Sequence, residues 1–215
     1  MLETEDDPEM RNTIATALLA ATALAGPARA DVLETMGPIL ATAPDAATLN
    51  AKCDRYVAAI ERHKAALEGE TGTATIDGTL ARYDALTALI GAGSGEFTLY
   101  QQVMADQERR DAGAACQVRL ATLGSEISLS RPIYDRLKAI DASGADDATE
   151  WYLSRTLSGF ERSGVALDDA RRAHVQELNE TLAALGTEFQ NNIANGREVI
   201  RVKPEDLAGL PADFL

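Results

Sequence analysis

Apolar residues recur at steps of three and four positions along most of this chain, which is the spacing of one face of an α-helix. After Pro44, the predicted inward face comprises Leu49, Cys53, Tyr56, Val57, Ile60 and Leu67. The following segment GETGTATIDGT contains three glycines and is expected to be a loop. The helical spacing resumes through Tyr83, Leu86, Leu89 and Ile90, and the run GAGSG is expected to end that helix.

The same spacing continues in the second half of the chain. The positions Leu99, Val103, Cys116, Leu120, Leu123 and Ile127 predict one long helix, or two helices that meet near Gly113. Ser130 is a suitable N-cap for the next helix, with Pro132 in its first turn. A further helix follows Gly144, with Tyr152 or Leu153, Leu157 and Phe160 inward, and Gly164 ends it.

The clearest helix is the last one, which starts at Asp168 or Asp169 and ends at Asn195-Gly196. Its narrow apolar seam comprises Val175, Leu178, Leu182, Leu185, Phe189 and Ile193. The residues EVIRV then alternate as in a short strand near 198–202. The pattern as a whole predicts an all-α antiparallel bundle of about six to seven helices.

The N-terminus has the form of a signal peptide spanning Met10–Ala30. Arg11 precedes an apolar run from Ile14 to Ala25, and Ala28-Arg29-Ala30 resembles a cleavage site. A short buried helix is the alternative interpretation. The acidic residues 1–9 in front of it indicate either a start codon chosen too far upstream or residues added to the natural chain. Removal of residues 1–30 would leave 31–215 as a periplasmic or secreted protein without a further membrane span.

The charge balance excludes one class of partner. The net charge is -14 and the sequence pI is about 4.5, whereas nucleic-acid binding requires clustered Lys and Arg. Export would also change the meaning of the two cysteines, Cys53 and Cys116. In an oxidising compartment an even count favours a disulfide, and both positions fall on predicted inward helix faces. Two buried free thiols are the alternative.

The residues themselves offer no active site. His63 and His174 lie among charged residues, so each is expected to be a solvated surface histidine, and neither has a partner at metal-ligand spacing. The acidic pairs at 146–147, 168–169 and 205–206 fall at predicted helix starts or turns, where capping explains them. No catalytic, cofactor-binding or metal-binding residue is therefore assigned.

Three phrases occur in order in the second half: EISLSRPIYDRL, then FERSGVALDDARRAHVQELNETLAALGTEFQNNI, then DLAGLPADFL. Together they resemble the N-terminal region of the thimet oligopeptidase-like zinc metallopeptidases, a family that includes oligopeptidase A and the dipeptidyl carboxypeptidases. The resemblance is strongest from Glu126 to Leu215 and weaker from Leu49 to Ser125. It implies a mostly helical wall of a channel in which short peptides are cleaved.

In that family, zinc is held by the two His of H-E-x-x-H and a downstream Glu, and the motif's own Glu is the general base. This chain contains no H-E-x-x-H, so no catalytic residue carries over, and the chain alone is expected to bind no zinc. The resemblance implies that 31–215 is an incomplete N-terminal domain of an exported oligopeptidase. The alternatives are a stand-alone periplasmic peptide-binding or interaction module, and an unrelated helical structural protein.

Overall fold

A computed structural model describes residues 27–37, 44–196 and 201–211. The α-helices in these ranges are α1 (Pro27–Met36), α2 (Ala46–Glu68), α3 (Ala81–Val103), α4 (Gln107–Ser128), α5 (Arg131–Lys138), α6 (Asp147–Ser163) and α7 (Asp169–Asn195). A π-helical turn, Ile76–Leu80, leads into α3, and a 3-10 turn, Pro204–Leu207, follows α7. The prediction of an all-α helical bundle is confirmed.

Two expectations fall wholly or partly outside the described ranges. Most of the predicted signal peptide, residues 10–26, lies outside them. So do residues 198–200 of the predicted strand, while residues 201–203 are irregular. Among the helices that are described, none combines the length and the apolar character needed to cross a bilayer.

Short polar side chains cap the starts of α2, α4, α5, α6 and α7. Asp45, Asp106, Ser130, Asp146 and Asp168 each accept a hydrogen bond from the backbone N–H three residues later. Each cap satisfies a donor that the first helical turn leaves without an intrahelical partner. At the other end of α6, Gly164 has φ of 100°, the left-handed conformation that glycine adopts without a steric penalty. The caps predicted at Ser130 and Gly164 are confirmed.

The core lies between α2, α3 and α4, which pack on one another. Its fully buried side chains include Leu49, Tyr56, Ile60, Leu86, Leu89, Phe97 and Leu120. Helices α5 and α6 close one side through Ile133, Leu137, Leu153 and Phe160, all of which are buried. The predicted inward faces of α2 and α6 are therefore confirmed, with Val57, Tyr152 and Leu157 only partly buried.

The glycine run GAGSG does not end a helix, contrary to the sequence-based expectation. Helix α3 continues through it to Val103. A Cβ at Gly93 would lie 3.0 Å from Leu120 Cδ1 and 3.2 Å from Tyr56 Cδ1. Close packing of three helices at Gly93 therefore outweighs the low helix propensity of glycine, which costs about 1 kcal/mol per residue.

The break between α3 and α4 lies at residues 104–106, not near Gly113. Gly113 is inside α4, where a Cβ would lie 2.8 Å from the backbone N of Gln101. Glycine here allows two helix backbones to approach rather than ending a helix.

The predicted inward face at the end of α3 is also wrong. Leu99 and Val103 are exposed, whereas Phe97 and Tyr100 are buried. The aromatic rings form an edge-to-face series with Tyr56, with centroids 5.6 to 6.2 Å apart. Aromatic packing thus fixes the rotation of this part of α3.

The segment 69–79 is a loop only in its first part. Its last residues enter the π-helical turn, where the Thr79 hydroxyl donates a hydrogen bond to Glu70 Oε2 at 2.9 Å. Arg136 Nη2 of α5 lies 3.1 Å from the same Glu70 oxygen. The acidic side chain therefore fastens the loop to α5.

Candidate functional site

The two cysteines lie on facing helices of the core. Cys53 of α2 and Cys116 of α4 form a disulfide, with their Cα atoms 5.8 Å apart, and each residue is only 1% exposed. The bridge spans a sequence separation of 63 residues, for which the chain-entropy relation gives a stabilisation of about 4 kcal/mol. The bridge is thus part of the scaffold and offers no reactive thiol.

A cluster of polar side chains is buried where α2 meets α3. Lys52 Nζ lies 2.5 Å from Glu96 Oε1, and the hydroxyls of Tyr56 and Tyr100 donate to Glu96 at 3.1 and 2.6 Å. Lys52 and Glu96 are only 7% and 5% exposed. Because the carboxylate is paired with a cation and occupied by two hydroxyls, the cluster joins two helices and is not open to a substrate.

The pKa shifts of the two tyrosines are consistent with a stable link between α2 and α3. Burial, reinforced by the negative charge of Glu96, raises the pKa of Tyr56. Burial and the hydrogen bond to Glu96 likewise raise the pKa of Tyr100. Both phenols therefore stay protonated and remain donors to Glu96 well into the alkaline range.

The two histidines do not come together. His174 of α7 is exposed, with Nδ1 3.6 Å from Glu177 Oε2, as a surface histidine should be. His63 is instead 8% exposed, so the prediction of a solvated residue is wrong for it. The buried positions Tyr56, Ile60 and Leu67 follow the same three- and four-residue steps as His63, which places its ring on the inner face of α2.

The acidic pairs have structural roles. Asp146 Oδ1 accepts from the backbone N–H of Thr149 at 2.8 Å, and Asp168 Oδ1 accepts from Arg171 at 2.9 Å. The hydrogen bond from the Thr149 backbone lowers the pKa of Asp146. Asp206 accepts from the backbone N–H of Lys203 at 3.1 Å. Capping thus accounts for these carboxylates, as predicted.

An open groove lies between α2, α5 and the start of α7. Charged side chains line it, but they pair with one another. Lys64 Nζ is 3.2 Å from Glu68 and 3.7 Å from Glu126, and Arg172 pairs with Asp169 at 2.5 Å. In the ranges that the structure describes, no three His, Cys, Asp or Glu side chains are grouped as metal ligands would be.

The most unusual surface belongs to α7. We call Leu178, Leu182, Leu185, Phe189 and Ile193 the α7 seam. All five are exposed, by 49 to 66%. Val175, at the start of the same row, is partly buried. Fully covering an exposed side chain of this size contributes about 1.5–3 kcal/mol, so burial of the seam by a partner would be favourable.

Helix α7 is attached to the bundle by a different face. It packs along α4 through a partly buried stripe of Asn179, Ala183, Thr187 and Asn191. Asn179 Nδ2 donates to Ser125 Oγ at 2.9 Å, and Gln101 Nε2 donates to Asn191 Oδ1 at 3.0 Å. At 3.6 residues per turn this stripe is rotated by roughly 130° from the α7 seam. The helix therefore contacts the bundle through small and polar residues and presents its apolar residues outward.

Sequence reasoning identified the residues of the α7 seam but did not predict which surface they face. The stripe of Asn179, Ala183, Thr187 and Asn191 could not be recognised as a contact face, because small and amide side chains at four-residue steps form no apolar pattern. The polar cluster around Glu96 was also missed. Its members occur as ordinary charged and aromatic residues in helices 40 or more positions apart.

Comparison with known proteins gives two partial similarities and no matching protein-family profile. The chain is 25% identical to saccharolysin of Saccharomyces cerevisiae over 132 residues, which is 59% of this chain and 18% of the relative. It is 30% identical over 64 residues to a thimet-like oligopeptidase of Dictyostelium discoideum, covering 30% of this chain and 10% of the relative.

Part of this chain is similar to saccharolysin and to a thimet-like oligopeptidase. The similarity supports the relationship that the sequence motifs predicted. The chain spans less than a fifth of the length of either relative, and the similarity does not single out one subfamily.

Proposed function

We propose that this chain is the helical channel-wall part of an exported, zinc-dependent oligopeptidase that hydrolyses short peptides. In this proposal it is the N-terminal part, and the catalytic half lies beyond the 215 residues. The similarity to oligopeptidases over 132 residues supports it most directly. The exposed α7 seam adds support, since a part of a larger protein has apolar surface that the remainder covers.

The residues that the structure describes do not suit a zinc site. The two histidines lie on different helices, His63 is buried in α2, and both cysteines are bonded to each other. Zinc in a peptidase requires three protein ligands and an open position for water. We therefore place the metal on residues outside this chain, and we assign no catalytic step to the residues described.

Export is part of the proposal. It is supported by the signal-peptide form of Met10–Ala30 and by the disulfide between Cys53 and Cys116, because disulfides persist in oxidising compartments such as the periplasm. The substrates would be short peptides, which we infer from the thimet-like oligopeptidase relationship.

The decisive experiment is to read the genomic sequence downstream of the codon for Leu215 and to express the continuous protein. We expect a continuation with H-E-x-x-H. The purified protein should cleave a fluorogenic short peptide, lose activity with a chelator and regain it with Zn²⁺. Fractionation should place the protein in the periplasm or medium. A locus that ends at Leu215, or a continuation without a metal motif, would refute the proposal.

A stand-alone interaction module is the second candidate, favoured by the closed, disulfide-linked core of α2, α3 and α4. It predicts that residues 31–215 are monodisperse, unfold cooperatively and bind little hydrophobic dye. Strong dye binding that disappears when the α7 seam is made polar would count against it.

A further inference from the structure

We infer that the α7 seam is the docking face for the remainder of the peptidase chain, and that this remainder presents an apolar strip bordered by Lys or Arg. The inference rests on the proposed function and adds to it the surface through which the two parts associate. It starts from the five exposed residues of the seam, which extend over about 22 Å of helix at 1.5 Å per residue.

The end of α3 carries a second pair of exposed apolar residues. The hydrogen bond between Gln101 and Asn191 places the end of α3 beside the end of α7. Leu99 and Val103, at that end of α3, are exposed by 37 and 61%. At 100° per residue these two side chains lie about 160° from Gln101, the α3 residue that contacts α7, so they face away from α7 and are separate from the seam.

A second copy of this chain is a poor occupant. Between Ala173 and Gly196 the acidic side chains are Glu177, Glu180 and Glu188, all exposed, and the segment contains no Lys or Arg. Two-fold pairing would bring the same glutamates into one interface, between two chains that each carry a net charge of -14. Stable interfaces also engage about 20–30 residues on each side, far more than the seam supplies.

The charges along the α7 seam and the length of the relatives together indicate which partner covers the seam. Glu177 and Glu188 lie at helical spacing along one edge of the seam, so a complementary surface carries basic residues at that edge. The relatives are more than five times as long as the segments that this chain matches, which provides a remainder of sufficient size. The downstream polypeptide is thus the occupant that both arguments favour.

The test compares one substitution pair in two proteins. Leu182→Ser with Phe189→Ser is made in the 215-residue chain and in the continuous protein, with Trp151→Ser as the matched control. Trp151 is equally exposed, at 64%, but lies on α6. We expect the pair to leave the melting temperature of the short chain within about 1 °C, and to lower that of the continuous protein by about 5 °C or more. Trp151→Ser should change neither.

Several outcomes would overturn the inference, and they are distinguishable from failure of the proposed function. If the continuous protein is an active zinc peptidase and its melting temperature does not change with the Leu182→Ser and Phe189→Ser pair, the proposed function would be supported and the docking face rejected. A short chain that sediments as a dimer, and becomes monomeric with the seam pair, would show that a second copy covers the seam. Stronger binding of a hydrophobic dye by the short chain after removal of residues 1–30 would identify the N-terminal apolar run as the segment that covers the α7 seam. A locus with no peptidase continuation would reject both proposals.

Discussion

Helices α2 and α7 have the same apolar periodicity and opposite environments. In α2, Leu49, Tyr56 and Ile60 are fully buried, and a disulfide and a buried ion pair fix the helix to its neighbours. In α7, Leu182 and Phe189 are about two-thirds exposed, and the described contacts with the bundle include two hydrogen bonds between polar side chains. The comparison teaches that helical apolar spacing alone does not show whether a helix face is buried in its own bundle or exposed.

The largest expected effect is at the ion pair of the core. Lys52→Met should leave Glu96 charged and without its cation in a buried site, which costs about 3–5 kcal/mol of unfolding free energy. Urea denaturation followed by circular dichroism would measure it. The conservative control Lys52→Arg retains a cation. An effect below 1 kcal/mol for the Met variant would show that water reaches Glu96.

The disulfide should contribute nearly as much. The double variant Cys53→Ser with Cys116→Ser is expected to unfold with a free energy lower by up to about 4 kcal/mol, because the unfolded chain loses its covalent ring. Reduction of the wild-type chain should reproduce the loss, whereas a reducing agent should not affect the double variant. Equal stability of the oxidised and reduced chains would contradict the prediction.

Gly113 provides an intermediate test of the core. Gly113→Ala places a Cβ 2.8 Å from the backbone N of Gln101, so α3 and α4 must separate, at about 1–3 kcal/mol. Gly124→Ala is the matched control in the same helix, since nothing lies within 4 Å of that position, and it should be neutral or slightly stabilising. Thermal melting of both variants would decide. Similar melting temperatures would mean that the helices adjust freely.

Alkaline pH should lower the stability of the chain through its buried tyrosines and not through α7, because all five tyrosines precede α7. Burial raises the pKa of Tyr83 to about 12. The folded state therefore retains a proton that the unfolded chain releases near pH 10, and stability falls as pH rises above about 10, by about 1.4 kcal/mol per unit for this residue. Tyr83→Phe should flatten that part of the profile. An unchanged slope would contradict the assignment.

The smallest effect is expected on α7 itself. Leu185→Ala should change the unfolding free energy of the 215-residue chain by no more than about 0.5 kcal/mol, since the side chain is 55% exposed. Leu120→Ala in the core is the control and should cost about 2–5 kcal/mol. Comparable losses at the two positions would remove the distinction between the regions.

Local signals predicted the fold well and its contacts poorly. Caps such as Ser130 and Gly164 depend on neighbours a few residues away, so the sequence reveals them. Gly93 and Gly113 depend on helices that lie close in space but distant in sequence, and the glycine run was therefore misinterpreted as a helix end. His63 and the pair Leu99 and Val103 were misplaced for the same reason, because aromatic packing and core geometry set their rotation.

The residues of the α7 seam could be predicted from the sequence, but their exposure could not. The α7 seam could be identified residue by residue, yet its orientation follows from the stripe that contains Asn179 and Asn191. Amide side chains can pack on a neighbouring helix or face water, and the sequence does not distinguish these cases. The absence of H-E-x-x-H, in contrast, required no structure to establish.

The disulfide has a topological consequence. Cys53 and Cys116 close a covalent ring that contains most of α2, the loop from Glu70 to Thr75 and all of α3. A protease that cut this loop would leave one covalent molecule of nearly unchanged mass, separable into two pieces only after reduction. Helix α7 lies outside the ring, so after a cut before Asp168 only its packing on the bundle would hold it to the rest of the molecule. The molecule thus consists of a covalently closed ring and a helix outside that ring, and this helix carries the α7 seam.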